Sequence, residues 1–217
     1  MLKKKVILPI IYVLAYLFTF YIVIQYIVFK PSQAGVVSSK LQDPNFPYAI
    51  WKLFFFPHIL LGVIALLIGA YQLTNKSRQN RKVHRFLGRI YGLSILLNVL
   101  VVPYISLFAT GGFPSTIAFL VTDVCWLLTT AIAIVYIKRK NVAKHREWML
   151  RSYAITFVFV TFRIFLLIIQ VLLHAPLSVS FSLSVYLSIL LNLFITQVYL
   201  NKRTRSVSVD KTIGKIY

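Results

Sequence analysis

Acidic residues are almost missing from this chain. Four Asp and Glu stand against 24 Lys and Arg in 217 residues, a formal net charge of +20. Charged residues of both signs make up 13% of the sequence, where a soluble domain carries roughly 25%. That shortfall excludes an ordinary water-soluble domain. Cysteine is reduced to Cys125, inside an apolar run; no intramolecular disulfide can form, and the redox compartment is not legible from it. No CxxCH, P-loop or HExxH pattern occurs, and no nucleophile–base–acid set of a hydrolase is visible. The short alternating strands of a membrane barrel are absent too.

What the chain has is apolar length: 59% of its residues are hydrophobic. Runs of about twenty residues recur, each long enough to cross a hydrocarbon layer of about 30 Å. The pattern predicts an all-α integral membrane protein of one domain. Its six transmembrane helices fall at 6–28, 54–73, 86–108, 115–137, 148–173 and 177–200, with a basic tail over 201–217. Spans two to five are expected to form a central four-helix core. The first run exceeds a signal-peptide core of about 7–15 residues and reads as a retained anchor. The longest connection, 29–57, ends in Trp51, Phe54, Phe55 and Phe56, a cluster suited to a membrane interface.

The basic residues set the orientation. Twenty of the 24 fall in the head, in 74–89, in 138–151 and in the tail, while Lys30, Lys40 and Lys52 lie on the other side. Cytoplasmic loops collect Lys and Arg, so both termini are expected inside, in a multi-pass protein of the cell (cytoplasmic) membrane. The positive surplus then reports topology and attraction to anionic lipid headgroups. No nucleic-acid partner is implied, since no recognised module is present. No trustworthy signal of oligomeric state is found.

The remaining cation, Arg163, falls in mid-span, where a charge costs about 2.5–3.5 kcal/mol. Asp123 is nine residues past Pro114, and Arg163 ten before Leu173; at 1.5 Å per residue both lie roughly 15 Å deep. An Asp123–Arg163 intramembrane pair is expected, with Asn98 at similar depth. It is either a lock on helix register or a functional group: a proton or anion site, or an electrostatic partner for a cofactor. Were the pair mutual, Arg163→Leu alone would harm more than the double change with Asp123→Leu. Read as one helix, the fifth span also puts His145, Ser152, Thr156, Arg163 and Gln170 on one stripe, at steps that nearly close whole turns.

His84 and His145 open alternate spans on the basic side. Two neutral imidazoles from facing helices can supply both axial ligands of a haem iron, with Arg85, Arg89, Arg146 and Arg151 for its propionates. Gly88 and Gly92, on the face of His84, would admit a flat ligand or a neighbouring helix. A divalent metal is a weaker reading, since two histidines alone make a poor zinc site, and the bland alternative is two interfacial histidines touching solvent or lipid phosphate. His58, Gly62, Ala65, Gly69 and Gln72 fall on one small, polar face of the second span, read as a close-packing seam with a capped histidine. Trp126, Trp148 and the tyrosines read as packing and interface anchors.

The stretches PHILLGVIALLIGAYQL (57–73), KVHRFLGRIY (82–91), GGFPS (111–115) and KHREWMLRSYAITFVFVTFR (144–163) resemble a mostly bacterial membrane family known as domain of unknown function 2306. The resemblance carries over His58, His84, Arg85, Gly88, Arg89, His145, Arg146, Arg151, Ser152, Tyr153 and Arg163, and implies no activity. More distantly, the layout is similar to six-span b-type cytochromes that move electrons from ascorbate. That family holds two haems on four histidines; the fourth span here has none, so at most one would survive. Two functional readings remain open. One is a b-type haem electron carrier exchanging electrons with a quinone or small redox partner. The other is a non-enzymatic small transporter or assembly subunit.

Overall fold

The computed structural model describes residues 2–29 and 31–213, and no strand occurs among them. Helix α1 spans Leu2–Val23 and continues as a π-helical turn, Ile24–Val28. A 3-10 turn at Pro31–Gln33 and the short α2, Gly35–Lys40, follow. Then come α3 (Tyr48–Gln72), α4 (Asn75–Gln79), α5 (Arg81–Ser106), α6 (Phe113–Lys138), α7 (Val142–Thr156), α8 (Val158–Leu173) and α9 (Leu177–Ile213). Among the described residues five helices are each long and apolar enough to cross a membrane; α7 and α8, taken as one span bent by 41°, make a sixth.

Several helices start earlier than their apolar runs. Asn80 caps α5 by accepting from the Lys82 and Val83 amides, and Asn141 caps α7 by accepting from Lys144. A capping side chain satisfies amides that have no intrahelical partner. Helix therefore begins in polar sequence, where hydropathy cannot register it. Likewise α3 begins at Tyr48 and runs through Pro57, and α9 continues past the sixth apolar run to Ile213.

The interior is built by α3 on α5, α6 on α7 and α8 on α9. Leu66, Tyr91, Ile95, Trp126 and Ile155 are buried at its centre. The sixth span adds to the expected four-helix core: Phe181, Val185 and Ile189 of α9 are buried in it. Ser180, Ser184 and Ser188 are fully buried along the same helix; small residues let helix backbones approach closely. Outward-facing Leu60, Leu100, Leu172 and Leu190 are 61–70% exposed, an apolar exterior suited to hydrocarbon. Helix α1 is peripheral, tied by its buried Ala15 and by the Tyr12 hydroxyl, which donates to Ala70 O at 3.1 Å.

At the end away from the basic loops, residues 34–55 fold into a lid. Ala34, Val37 and Trp51 are buried there among Phe46, Phe55, Tyr104 and Phe108. The Lys40 ammonium donates to Phe108 O, fastening the lid to the α5–α6 turn. Burial holds the Lys40 ammonium below its ordinary pKa. In that turn Gly111 has φ +96°, and a Cβ there would lie 2.5 Å from Ser178 O of α9. Both the backbone angle and the close approach require glycine.

Candidate functional site

The fifth span breaks at Phe157, with no proline or glycine to cause it. Hydroxyl side chains surround the break. Trp126 Nε1–H donates to Thr156 Oγ1 at 2.9 Å, and the Tyr91 hydroxyl lies 2.8 Å from both Ser152 Oγ and Thr156 Oγ1. Thr130 donates to Trp126 O and so accepts from Ser152 Oγ at 2.7 Å. Thr156 Oγ1 also reaches back to Ser152 O at 3.1 Å, a bond of the kind that bends helices. All five side chains are buried, and each proton has an acceptor. Thr156→Val keeps the shape but strands the Trp126 indole. It should cost about 1–2 kcal/mol, read as a lower unfolding midpoint in detergent, with Thr156→Ser retaining most of the stability. An unchanged midpoint in the valine variant would count against the tie.

Beyond the break, α8 packs on α9 while α7 packs on α6. The opening left among α3, α5, α6 and α8 is a cavity of about 150 Å³. His58 and Gly62 line it from α3, Asp123 and Trp126 from α6, and Phe159, Phe162 and Arg163 from α8. Trp51 and Lys40 of the lid reach it at one end, and Phe18, Ile22 and Tyr26 wall it on the α1 side.

Polar groups in this cavity are incompletely paired. Asp123 is 6% exposed, and its Oδ2 has no hydrogen-bond partner among the described residues; Trp51 is 1% exposed, and its Nε1–H has none either. His58 Nδ1–H donates to Asn98 Oδ1 at 2.6 Å, and Asn98 Nδ2 returns a bond to His58 O at 3.3 Å. That clasp of α3 to α5 leaves His58 Nε2 as a free acceptor. Arg163 lies 5.1 Å from the Phe162 ring centroid and 6.0 Å from that of Tyr21.

The expected Asp123–Arg163 ion pair is therefore not formed, although both side chains face the same cavity. The depth count assumed a straight fifth span; the 41° bend carries Arg163 aside. Asn98, expected near the pair, is held by His58 instead. The expected stripe is likewise broken: Ser152 and Thr156 are tied below the bend, Arg163 faces the cavity above it, and Gln170 lies farther along α8. On α3, a Cβ on Gly62 would meet the Phe159 ring and one on Gly69 the Tyr153 ring, so rings of α7 and α8 lie against the small residues of that face.

The second polar cluster lies at the basic end. Gln72 donates to His84 O at 2.8 Å and accepts from Ser77 Oγ at 2.7 Å. With its proton committed there, Ser77 Oγ accepts from His84 Nδ1–H at 3.0 Å. His145 Nδ1–H donates to Ala133 O at 2.8 Å. Each ring thus commits Nδ1–H to a neighbour, which in the neutral imidazole leaves Nε2 as the acceptor, and the two stand within electrostatic range of one another. A Cβ on Gly88 would meet Gln72 at 3.5 Å, and one on Gly92 would meet Ile134 at 3.8 Å, so protein side chains already border that face. Arg85, Arg89 and Arg146 are exposed. Arg151 turns to α9, donating to Gln197 Oε1 at 2.8 Å and lying over Trp148. Just outside the spans, burial and the neighbouring Arg146 and Arg203 lower the Arg78 pKa. Among the described residues no three His, Cys, Asp or Glu side chains gather as a metal site.

Trp51, Tyr91, Trp126, Thr130 and Ser77 were not legible as polar-site residues. The available signal was that a buried Trp or Tyr needs a partner for its polar atom. Sequence gives no partner, so Tyr91 and Trp126 read as anchors and Trp51 as an interface aromatic.

Helices of spanning length with lipid-suited exteriors and a polar cavity within them define a multi-pass helical membrane protein. The model of the family described as predicted membrane protein (DUF2306) matches residues 55–200, about two thirds of the chain. The chain belongs to that family. No curated protein and no solved structure matches it, and the likeness to six-span cytochromes finds no support in these comparisons.

Proposed function

We propose that this protein binds a small amphiphilic molecule inside the membrane, in the cavity between α3, α5, α6 and α8, as a small transporter or an accessory subunit does. The observation that carries the reading is Asp123 Oδ2, a carboxylate oxygen buried at the cavity wall without a partner. Such a group costs about 1–3 kcal/mol, more when charged, and calls for a functional or structural reason, which a bound ligand would supply. Pockets lined by apolar and aromatic side chains with a few convergent polar groups are the usual form of a small-molecule site. The positive-inside bias supports a cytoplasmic basic end lying against anionic headgroups.

A second reading has a different observation behind it. His84 and His145 each commit Nδ1–H to a neighbour and leave Nε2 free, the arrangement in which imidazole ligates a metal. A haem held there would supply one-electron transfer.

Both readings are tested on one sample, the detergent-purified full chain expressed with adequate haem supply. Solvent extraction and mass spectrometry should find a near-stoichiometric small molecule in the wild type that is missing from Asp123→Asn. Identical extracts would refute the cavity reading. A Soret band with sharp reduced α and β bands, lost in His84→Ala and His145→Ala, would establish the haem reading. A featureless visible spectrum would end it.

A further inference from the structure

We infer that the polar end of the bound molecule is a hydroxylated aromatic ring carrying an apolar chain, the head-group chemistry of a quinol. The inference rests on the cavity being a binding site. Its two unpartnered buried groups are of opposite kinds: Asp123 offers a carboxylate acceptor and Trp51 an indole donor. His58 Nε2 adds a second acceptor, because Nδ1–H is committed to Asn98. A ligand that satisfies all three must both donate and accept. A phenolic hydroxyl does both, and a ring with two of them does so at opposite edges.

Charge narrows the class further. Asp123 and Arg163, an acid and a base, both line the cavity, and no salt bridge joins them. An organic cation would face Arg163 uncompensated, and an organic anion would face Asp123. A neutral head that donates toward one and accepts from the other leaves neither problem.

The walls favour a flat guest. Trp126 and His58 meet the Phe159 ring edge-on, at 5.4 and 5.7 Å between centroids. Phe119 and Phe181 meet Phe162 in the same way, at 6.5 and 5.0 Å. A volume of about 150 Å³ matches an engineered apolar cavity known to admit benzene. Phe18 and Ile22 make the α1 side apolar, where the chain would leave the ring.

The test measures binding to the purified full chain by quenching of intrinsic tryptophan fluorescence. The probes are 2-decyl-1,4-benzoquinol, kept reduced with ascorbate, and decylbenzene, which keeps ring and chain but lacks both hydroxyls. The quinol should bind at least tenfold more tightly than decylbenzene. Asp123→Asn should weaken the quinol about tenfold and Trp51→Phe about fivefold, neither changing decylbenzene. Thr19→Ala, whose hydroxyl is committed to Ala15 O away from the cavity lining, should bind like wild type. If Asp123→Asn does not elute as a single species, Trp51→Phe carries the comparison. Equal affinity for the two probes, or quinol binding untouched by the Asp123 and Trp51 changes, overturns the inference. If extraction still yields an Asp123-dependent molecule of another class, the binding-protein reading stands without it. If no molecule depends on Asp123, both fall.

Discussion

Gly69→Ala is expected to leave little or no monodisperse protein. A Cβ at that position would lie 2.3 and 2.5 Å from two atoms of the Tyr153 ring and 3.0 Å from Tyr91. Neither ring is a loose end. Tyr153 is 5% exposed and its hydroxyl donates to Leu66 O; Tyr91 is 1% exposed and belongs to the tie at the bend. Relief requires α3 to move off α7, so the loss should reach or exceed the upper part of the usual 1–3 kcal/mol for overpacking. Tyr153→Leu in the same chain should restore part of the yield, whereas Tyr153→Phe, which keeps the ring, should not. Gly88→Ala is the contrasting case. Its Cβ meets Gln72 at 3.5 Å, an ordinary contact, and alanine is favoured over glycine in a helix by about 0.8–1 kcal/mol. That variant should elute like wild type. Equal behaviour of the two alanine variants in size exclusion would refute the account of the seam.

Asp123→Leu should raise stability while abolishing ligand binding. An ion pair would give the opposite sign. Were Arg163 bonded to Asp123, the leucine would strand a buried guanidinium and cost about 3–5 kcal/mol, with Arg163→Leu rescuing it. In the structure Asp123 Oδ2 has no partner and Arg163 lies against aromatic rings. Removing the carboxylate therefore removes an unsatisfied buried group, a gain of about 1–3 kcal/mol. The unfolding midpoint of the ligand-free protein should rise by several degrees, and the effects of Asp123→Leu and Arg163→Leu should add. A fall in midpoint that the double change reverses would establish the pair and discard the orphan carboxylate. Stability gained as binding is lost is the pattern of a site kept imperfect for its ligand.

The spanning segments were legible because hydrocarbon thickness imposes a length that no soluble helix must meet. The break in the fifth span was not. AITFVFV contains no helix breaker; the bend follows from hydroxyl ties between Thr156, Tyr91 and Trp126, partners 65 and 30 residues away in sequence. Hence the positions of Asp123 and Arg163 along their runs put both at one level of the membrane without deciding whether they touch. Trp51 was legible as an interface aromatic, and its buried, unpaired indole was not, because the lid that buries it comes from a proline-bearing stretch without apolar periodicity. The histidines fared differently. His58, His84 and His145 were recognisable as special, but which ring nitrogen each leaves free depends on Asn98, Ser77 and Ala133.

One wall of the cavity is only a single helix thick. Leu17 and Phe20 of α1 are 60% and 65% exposed on its far side, while Phe18 and Ile22 line the cavity. For a guest that passes this wall, the reservoir is the bilayer and not the water. Each methylene of its chain favours the lipid by about 0.8 kcal/mol, so occupancy follows mole fraction in the membrane. Diluting proteoliposomes with buffer would leave the site filled; adding empty vesicles would drain it.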